Sequence, residues 1–115
     1  MSSFTKRIKK EFSFEGDTVT VVAQRMKKED YTTMAPILKM EDGKQGVDQS
    51  DPNKVMSVGV DILKRRVESI DGLRADDGEL LTVDDMLSET YFMGLVGDIL
   101  GWVMESSFAA EGKKQ

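Results

Sequence analysis

One apolar segment, residues 91–104, contains a single charged residue, Asp98. Large apolar side chains recur in this segment at helical spacing, and three glycines form a second stripe on a neighbouring face of the same helix. Each glycine costs a helix about 1 kcal/mol relative to alanine, so three of them need a compensating contact. The segment therefore predicts a helix that another backbone approaches closely.

This helix has two interpretations. It is shorter than the roughly 20 apolar residues of a membrane span, so we expect either a core helix or a helix that docks on another protein. Trp102 and Phe108 are the expected anchors of such docking. The sequence leaves open whether the candidate residues form core or partner contacts; they are Phe92, Gly94, Val96, Gly97, Ile99, Gly101, Trp102, Val103 and Phe108.

The composition excludes several kinds of chemistry. The chain has 115 residues with no cysteine and no histidine, which excludes disulfides, zinc–thiolate sites and Ser-His-Asp triads. A net charge of −5, with basic residues concentrated only near the start of the chain, argues against nucleic-acid binding. We therefore expect no catalytic residue, no cofactor and no metal site.

The length predicts a single domain over residues 1–115. We expect flexible ends at about 1–8 and 109–115, and a mobile loop at about 41–50, where acids and glycines collect. The start of the chain lacks the long apolar core of a signal peptide, so we expect a cytoplasmic protein that contacts no membrane.

The predicted fold class is α+β and mainly helical, with an N-terminal β-hairpin packed on three or four helices. Residues 11–14 and 18–23 form the two strands of that hairpin, and Glu15-Gly16-Asp17 forms its turn. A helix is expected over residues 28–40, with Tyr31, Met34, Ala35 and Leu38 on one face and an interruption or kink at Pro36.

A longer middle helix is expected to start at Ser50-Asp51-Pro52, because an oxygen-bearing cap there precedes a proline. Its apolar stripe is Met56, Val60, Leu63, Val67 and Ile70, and Gly72 is its expected end. Residues 69–82 are either a linker or a second short hairpin that turns at Asp76-Asp77-Gly78, and we favour the hairpin. Thr82 predicts the cap of the last helix, with a break near Ser88 or Thr90.

Three groups of acidic residues could carry chemistry. Asp76, Asp77 and Glu79 lack the spacing of a calcium-binding EF-hand loop, and we expect a solvated turn. Asp84 and Asp85 diverge on a helix, which disfavours an acid–base pair. For Asp98 we expect the exposed edge of the helix or an ion pair with Arg65 or Arg66, although one residue alone does not exclude catalysis. We expect a protein that is not an enzyme.

Several segments together carry a resemblance to a known family. They are a short basic start, Phe-Ser-Phe-Glu-Gly-Asp at 12–17, a helix containing Ala35-Pro36, a capped middle helix, Asp-Gly-Leu-Arg-Ala-Asp-Asp-Gly-Glu-Leu-Leu-Thr at 71–82, Tyr-Phe-Met-Gly-Leu-Val at 91–96, Ser106-Ser107 and a basic tail. In this arrangement the chain resembles the tail assembly chaperones of long-tailed, siphovirus-type bacteriophages.

The resemblance implies a protein that binds the phage tape measure protein and recruits major tail tube subunits during virion morphogenesis. Such a protein acts in the bacterial host cytoplasm, can self-associate, and is absent from the mature virion. Gly112-Lys113-Lys114 can be encoded by a slippery run of adenines, and the family often carries a programmed frameshift near the end of the short product. A solvated lysine-bearing terminus explains the same residues equally well.

Two alternatives belong to other classes. The first is a small structural virion protein, such as a tail connector or completion protein, which would remain in the particle. The second is a regulatory module that binds a host protein through its acidic surface.

Overall fold

The fold comes from a computed structural model that describes residues 4–48 and 50–107. Over these residues the chain forms five strands and four α-helices, which confirms the predicted α+β class with its N-terminal hairpin. In chain order they are β1 (Arg7–Phe14), β2 (Asp17–Gln24), α1 (Lys28–Met34), β3 (Leu38–Glu41), β4 (Lys44–Val47), α2 (Pro52–Arg66), β5 (Val67–Asp71), α3 (Val83–Ser88) and α4 (Met93–Ser106).

The N-terminal hairpin is the predicted one, with a two-residue turn at Glu15-Gly16. Both residues have positive φ, +50° and +87°, as a type I′ turn requires. Strand β1 begins at Arg7, so regular structure extends into the segment that the sequence predicts as a flexible end. Alternation along β2 places Val19, Val21 and Ala23 in the core, and the other face of the strand remains partly exposed.

Helix α1 ends at Met34, earlier than predicted. Pro36 lies in a 3₁₀ turn, Ala35–Ile37, because its ring cannot continue the α-helix. The prediction of helix up to residue 40 is wrong, since the chain continues as β3. Regular structure also occupies part of the segment that the sequence predicts as a mobile loop at 41–50, because β4 pairs with β3 around an Asp42-Gly43 turn in which both residues have positive φ.

Helix α2 starts as predicted, with the Asp51 side chain accepting a hydrogen bond from the Lys54 amide ahead of Pro52. It stops at Arg66, and the prediction that Val67 and Ile70 continue its stripe is wrong. These two residues belong to β5, which pairs antiparallel with β2 and completes a sheet of order β1-β2-β5. Gly72 ends this strand with φ +101°, and a Cβ added there would lie 2.2 Å from the Thr18 carbonyl oxygen.

The segment after β5 confirms part of the second predicted hairpin. Arg74 and Leu80 form an isolated antiparallel bridge around a turn in which Gly78 has φ +88°. The predicted pairing of residues 69–71 with this segment is wrong, because those residues pair with β2. Thr82 and Asp85 form the predicted capping box at the start of α3, and a 3₁₀ turn at Thr90–Phe92 separates α3 from α4 as expected.

Side chains from the sheet and from all four helices form one buried cluster. The sheet contributes Val19, Val21 and Ala23, and α1 contributes Met34. The other helices contribute Ile62, Leu63, Met86, Ile99 and Val103. Within the described part of the chain, no helix has both the length and the apolar character that a membrane crossing requires.

Candidate protein-docking face on helix α4

Helix α4 has one buried side and one exposed side. Its inner side is core: Ile99 and Val103 are fully buried, Val96 is nearly so, and Phe92 is buried just before the helix begins. These four candidates from the apolar stripe therefore hold the domain together rather than contact a partner. Their helical spacing matches the side that faces the other helices and the sheet.

The outer side of α4 presents the glycine stripe. Gly94, Gly97 and Gly101 are all exposed, and beyond the neighbouring backbone of α4 itself a Cβ added at any of them would meet no heavy atom of the described residues within 4 Å. The predicted close approach of another backbone to this stripe is therefore absent within the described chain. These glycines leave a strip of helix backbone uncovered by side chains.

A close approach does occur elsewhere, at Gly59 of α2. A Cβ added to this buried residue would lie 2.8 Å from Cδ2 of Leu100, a side chain on α4. Helix α4 therefore packs closely on α2 through a glycine of α2 rather than through its own.

A groove of about 430 Å³ runs beside the glycine stripe, between β1 and α4. The Trp102 ring, which is half-buried, packs edge-on against Phe12 with ring centroids 5.6 Å apart. Lys10 Nζ lies 5.6 Å from the centre of the Phe12 ring. The groove is lined by Lys10, Phe12, Gly97, Asp98, Gly101, Trp102 and Glu105.

Lys10 and Phe12 were not among the predicted site residues. Both lie on β1, far from α4 in sequence, and their alternation places them on the same side of the strand. That alternation was the available signal, but it does not reveal which helix the strand lies beside. Phe108, the other predicted anchor, lies outside the described residues.

Asp98 is exposed on the outer side of α4, which confirms the first of its two expected placements. The predicted ion pair with Arg65 or Arg66 is wrong, because both arginines bind acids of α1. Arg66 Nε donates to Asp30 Oδ2 at 2.7 Å, and Arg65 Nη2 donates to Asp30 Oδ1 at 3.0 Å. Asp98 and Glu105 therefore give the groove two exposed carboxylates.

Asp30 is the buried acid that the sequence analysis missed. Its side chain is fully buried, and Arg66 beside it is 5% exposed. Burial alone would raise the pKa of the Asp30 carboxyl, but hydrogen bonds from Arg66 and the Lys27 amide, with a smaller contribution from Arg65, hold that pKa below its usual value. The Asp30–Arg66 pair joins α1 to α2, and we interpret it as structural.

Two of the acids in the candidate pairs and turns of the sequence, Asp77 and Asp85, belong to a local turn and a helix cap. Asp77 accepts a hydrogen bond from the Glu79 amide, and Asp85 accepts one from the Thr82 amide. Over residues 4–48 and 50–107, no three acidic side chains come together as a group that could hold a metal ion.

The features of the α4 face suit binding of a helix. Three glycines on one side of α4 permit close approach of another helix backbone, and Trp102 offers a large apolar edge. The carboxylates of Asp98 and Glu105 can receive basic side chains. We call the surface formed by Gly94, Gly97, Gly101 and Trp102 the glycine face.

Comparisons with protein-family models, with curated proteins and with solved structures find no match for this chain.

Proposed function

We propose that this chain is a non-enzymatic tail assembly chaperone of a long-tailed bacteriophage. In this proposal the glycine face binds an amphipathic helix of the phage tape measure protein in the host cytoplasm, and the complex recruits major tail tube subunits. The observation that carries the proposal is the exposed glycine stripe beside Trp102. The arrangement of segments along the chain supports the choice of client.

Energetics favour a partner for the glycine face. Each exposed helical glycine costs the free protein about 1 kcal/mol relative to alanine, and no described residue packs there to offset that cost. A client helix lying along the stripe would approach the α4 backbone closely and gain dispersion contacts over its whole length. The glycines then serve binding, which explains why alanine does not stand in their place.

The groove also indicates what the client helix should carry. Trp102 and Phe12 present an aromatic edge for an apolar side chain, while Asp98 and Glu105 are placed to meet basic side chains. We therefore propose a client helix with one apolar face flanked by lysine or arginine.

We also propose that the N-terminal hairpin and the helices move as one rigid unit. Phe12 contacts Trp102, and Phe14 contacts Phe92 with ring centroids 5.4 Å apart. In that case the wall that β1 contributes to the groove stays fixed when a client helix binds.

The decisive experiment is co-expression of this chain with the tape measure protein of the same phage. We expect the two to co-purify, and we expect Gly97→Leu to abolish co-purification, because the leucine side chain would keep the client helix away from the α4 backbone. Leucine favours helix more than glycine does, so the variant should fold. Trp102→Ala should weaken the association as well.

Ser57→Leu is the matched control, because it adds the same side chain at an exposed position of α2. Full co-purification of Gly97→Leu, or equal loss with Ser57→Leu, would rule out docking through the glycine face.

The frameshift remains a separate prediction. Mass spectrometry of the products of the native gene should reveal a longer minor chain that diverges near Gly112–Lys114, residues outside the described part of the structure.

A further inference from the structure

We propose that a second groove, at the turn of the N-terminal hairpin, binds an arginine side chain of a partner polypeptide. This groove has a volume of about 490 Å³ and lies between the β1–β2 turn, the segment after β5 and the start of α4. Its residues differ from those of the glycine face. The inference therefore does not depend on the identity of the tape measure protein as client.

An aromatic cluster lines this groove. Tyr91 packs edge-on against Phe14 and Phe92, with ring centroids 5.9 Å and 5.2 Å apart. Tyr91 is 64% exposed, which is unusual for a large ring that touches two other rings. An exposed ring face attracts a guanidinium group through the charge distribution of its π-system.

Carboxylates surround the aromatic cluster. Four acids line the groove, Glu15, Asp17, Asp76 and Glu89, against one base, Arg74. The Arg74 Nη1 donates to the Gly78 carbonyl oxygen at 3.0 Å, and its one positive charge faces four negative charges in the lining of the groove. The charge of the groove is therefore complementary to a cation, and the attraction is greatest where the aromatic rings exclude water.

Glu15 is held in position for this role. Its carboxylate accepts the Tyr91 hydroxyl at 2.6 Å, so one negative group is fixed at the edge of the exposed ring. Glu15 also has a φ of +50°, in a turn position where asparagine, aspartate or glycine is usual. A glutamate at this position makes the turn less favourable and places a long carboxylate beside the groove.

Arginine fits these features better than other cations. Its planar guanidinium can stack on the Tyr91 ring while its edge donates to a carboxylate, and lysine lacks this planar geometry. The volume of the groove accommodates one such side chain with parts of its neighbouring residues. The occupant is therefore an arginine presented by a partner polypeptide.

The test is an NMR titration of the isotope-labelled chain with the peptide acetyl-Gly-Leu-Arg-Leu-Gly-amide at low salt. We expect chemical-shift changes confined to the amides of residues 14–17, 74–76 and 89–92. The same peptide with citrulline in place of arginine should bind at least about threefold more weakly, because citrulline keeps the shape and loses the charge.

Two variants with the same change in charge sharpen the test. Glu15→Gln should weaken arginine-peptide binding by at least about threefold, whereas Asp61→Asn, at an exposed position of α2, should leave it unchanged. Glu15→Asn is a second groove variant that suits the turn better than the native residue, so its loss of binding could not be attributed to misfolding.

Several outcomes would overturn the inference. They are equal binding of the citrulline peptide, equal weakening by Asp61→Asn, shifts spread over the whole acidic surface, or the same shifts on concentrating the protein alone, which would make a second copy the occupant. Gly97→Leu should not alter peptide binding. A failure here therefore leaves the proposed docking of the tape measure protein untouched, and the reverse is also true.

Discussion

Glycines on two helices of this protein have opposite surroundings. Gly59 of α2 is buried against Leu100, and an added Cβ would lie only 2.8 Å from that side chain. At the three glycines on the outer side of α4, an added Cβ would meet no described atom within 4 Å beyond the neighbouring backbone of the helix itself. A glycine in a helix can thus indicate a contact that exists within the domain or leave room for one outside it, and only the fold distinguishes the two.

The same contrast holds for polar groups. The junction of α1 and α2 buries Asp30 and satisfies it with two arginines, whereas Asp98 and Glu105 on α4 stay exposed. The inner side of the helices is thus fully paired and packed, and the outer side of α4 is not. Substitutions on the two sides should therefore differ in sign as well as in size.

The largest effect should come from the packed side. Asp30→Ala removes the main partner of the buried Arg66 guanidinium and should lower the free energy of unfolding by about 3–5 kcal/mol, because this buried charge then keeps only the exposed Glu29 as a counterion. Urea denaturation measures this loss. Glu29→Ala, which removes the exposed partner of Arg66, is the control and should cost less than about 1 kcal/mol. Equal losses would contradict the view that burial decides the cost.

On the outer side, replacing Gly94, Gly97 and Gly101 together with alanine should stabilise the protein by about 2 kcal/mol, since each change gains about 0.5–1 kcal/mol of helix propensity without a clash. The same triple variant should bind the tape measure protein more weakly. Thermal unfolding measures the first effect and co-purification the second. Destabilisation would mean that the stripe packs on something within the chain.

Gly59→Ala should stabilise the protein less than a change on the outer side of α4. The added methyl group makes the end of the half-buried Leu100 side chain shift, and this offsets the gain in helix propensity, so we expect little or no net stabilisation. Denaturant unfolding of the single variant and of Gly59→Ala combined with Leu100→Ala tests the cause. The combination should show favourable coupling, because the second substitution removes the group with which the methyl clashes.

The buried Asp30 should also make the stability of the packed side depend on pH. The pKa of Asp30 is lower in the folded protein than its ordinary value of 3.8, so the unfolded chain binds a proton more readily. The stability that Asp30 contributes is complete above 3.8 and is lost as the pH falls through the folded-state pKa. Unfolding free energies measured from about pH 6 to pH 2 should fall more steeply for the native chain than for Asp30→Asn. Equal slopes would assign the acid sensitivity to other carboxyls.

Local signals made part of the fold predictable. The Glu15-Gly16 turn between two strand patterns, the Asp51-Pro52 helix start and the Thr82 cap each act over a few residues, and all three appear as predicted. Strand β5 was not predictable in the same way, because Val67 and Ile70 fit a helical stripe as well as a strand. Pairing with β2, a tertiary contact, decides in favour of the strand.

The residues of the candidate site could be predicted from the sequence, but the side of α4 that faces the core could not. Periodicity separated the apolar stripe of α4 from the glycine stripe, yet it could not show which stripe the rest of the chain would cover. The sheet and α2 cover the apolar stripe, so Trp102 is left at the edge and the glycines outside. The part that β1 plays in the groove depends on contacts between residues far apart in sequence, such as Phe12 and Trp102.

The pairing of β5 with β2 also has a consequence for how the chain is made. Strand β2 ends at Gln24, but its second partner begins only at Val67, after both the β3–β4 hairpin and α2. During synthesis the β1–β2 hairpin leaves the ribosome long before β5, and a lone hairpin is only marginally stable in water. One edge of the apolar β2 therefore stays open to other chains until β5 has also emerged from the ribosome, and we expect truncation before Asp71 to yield an aggregating product.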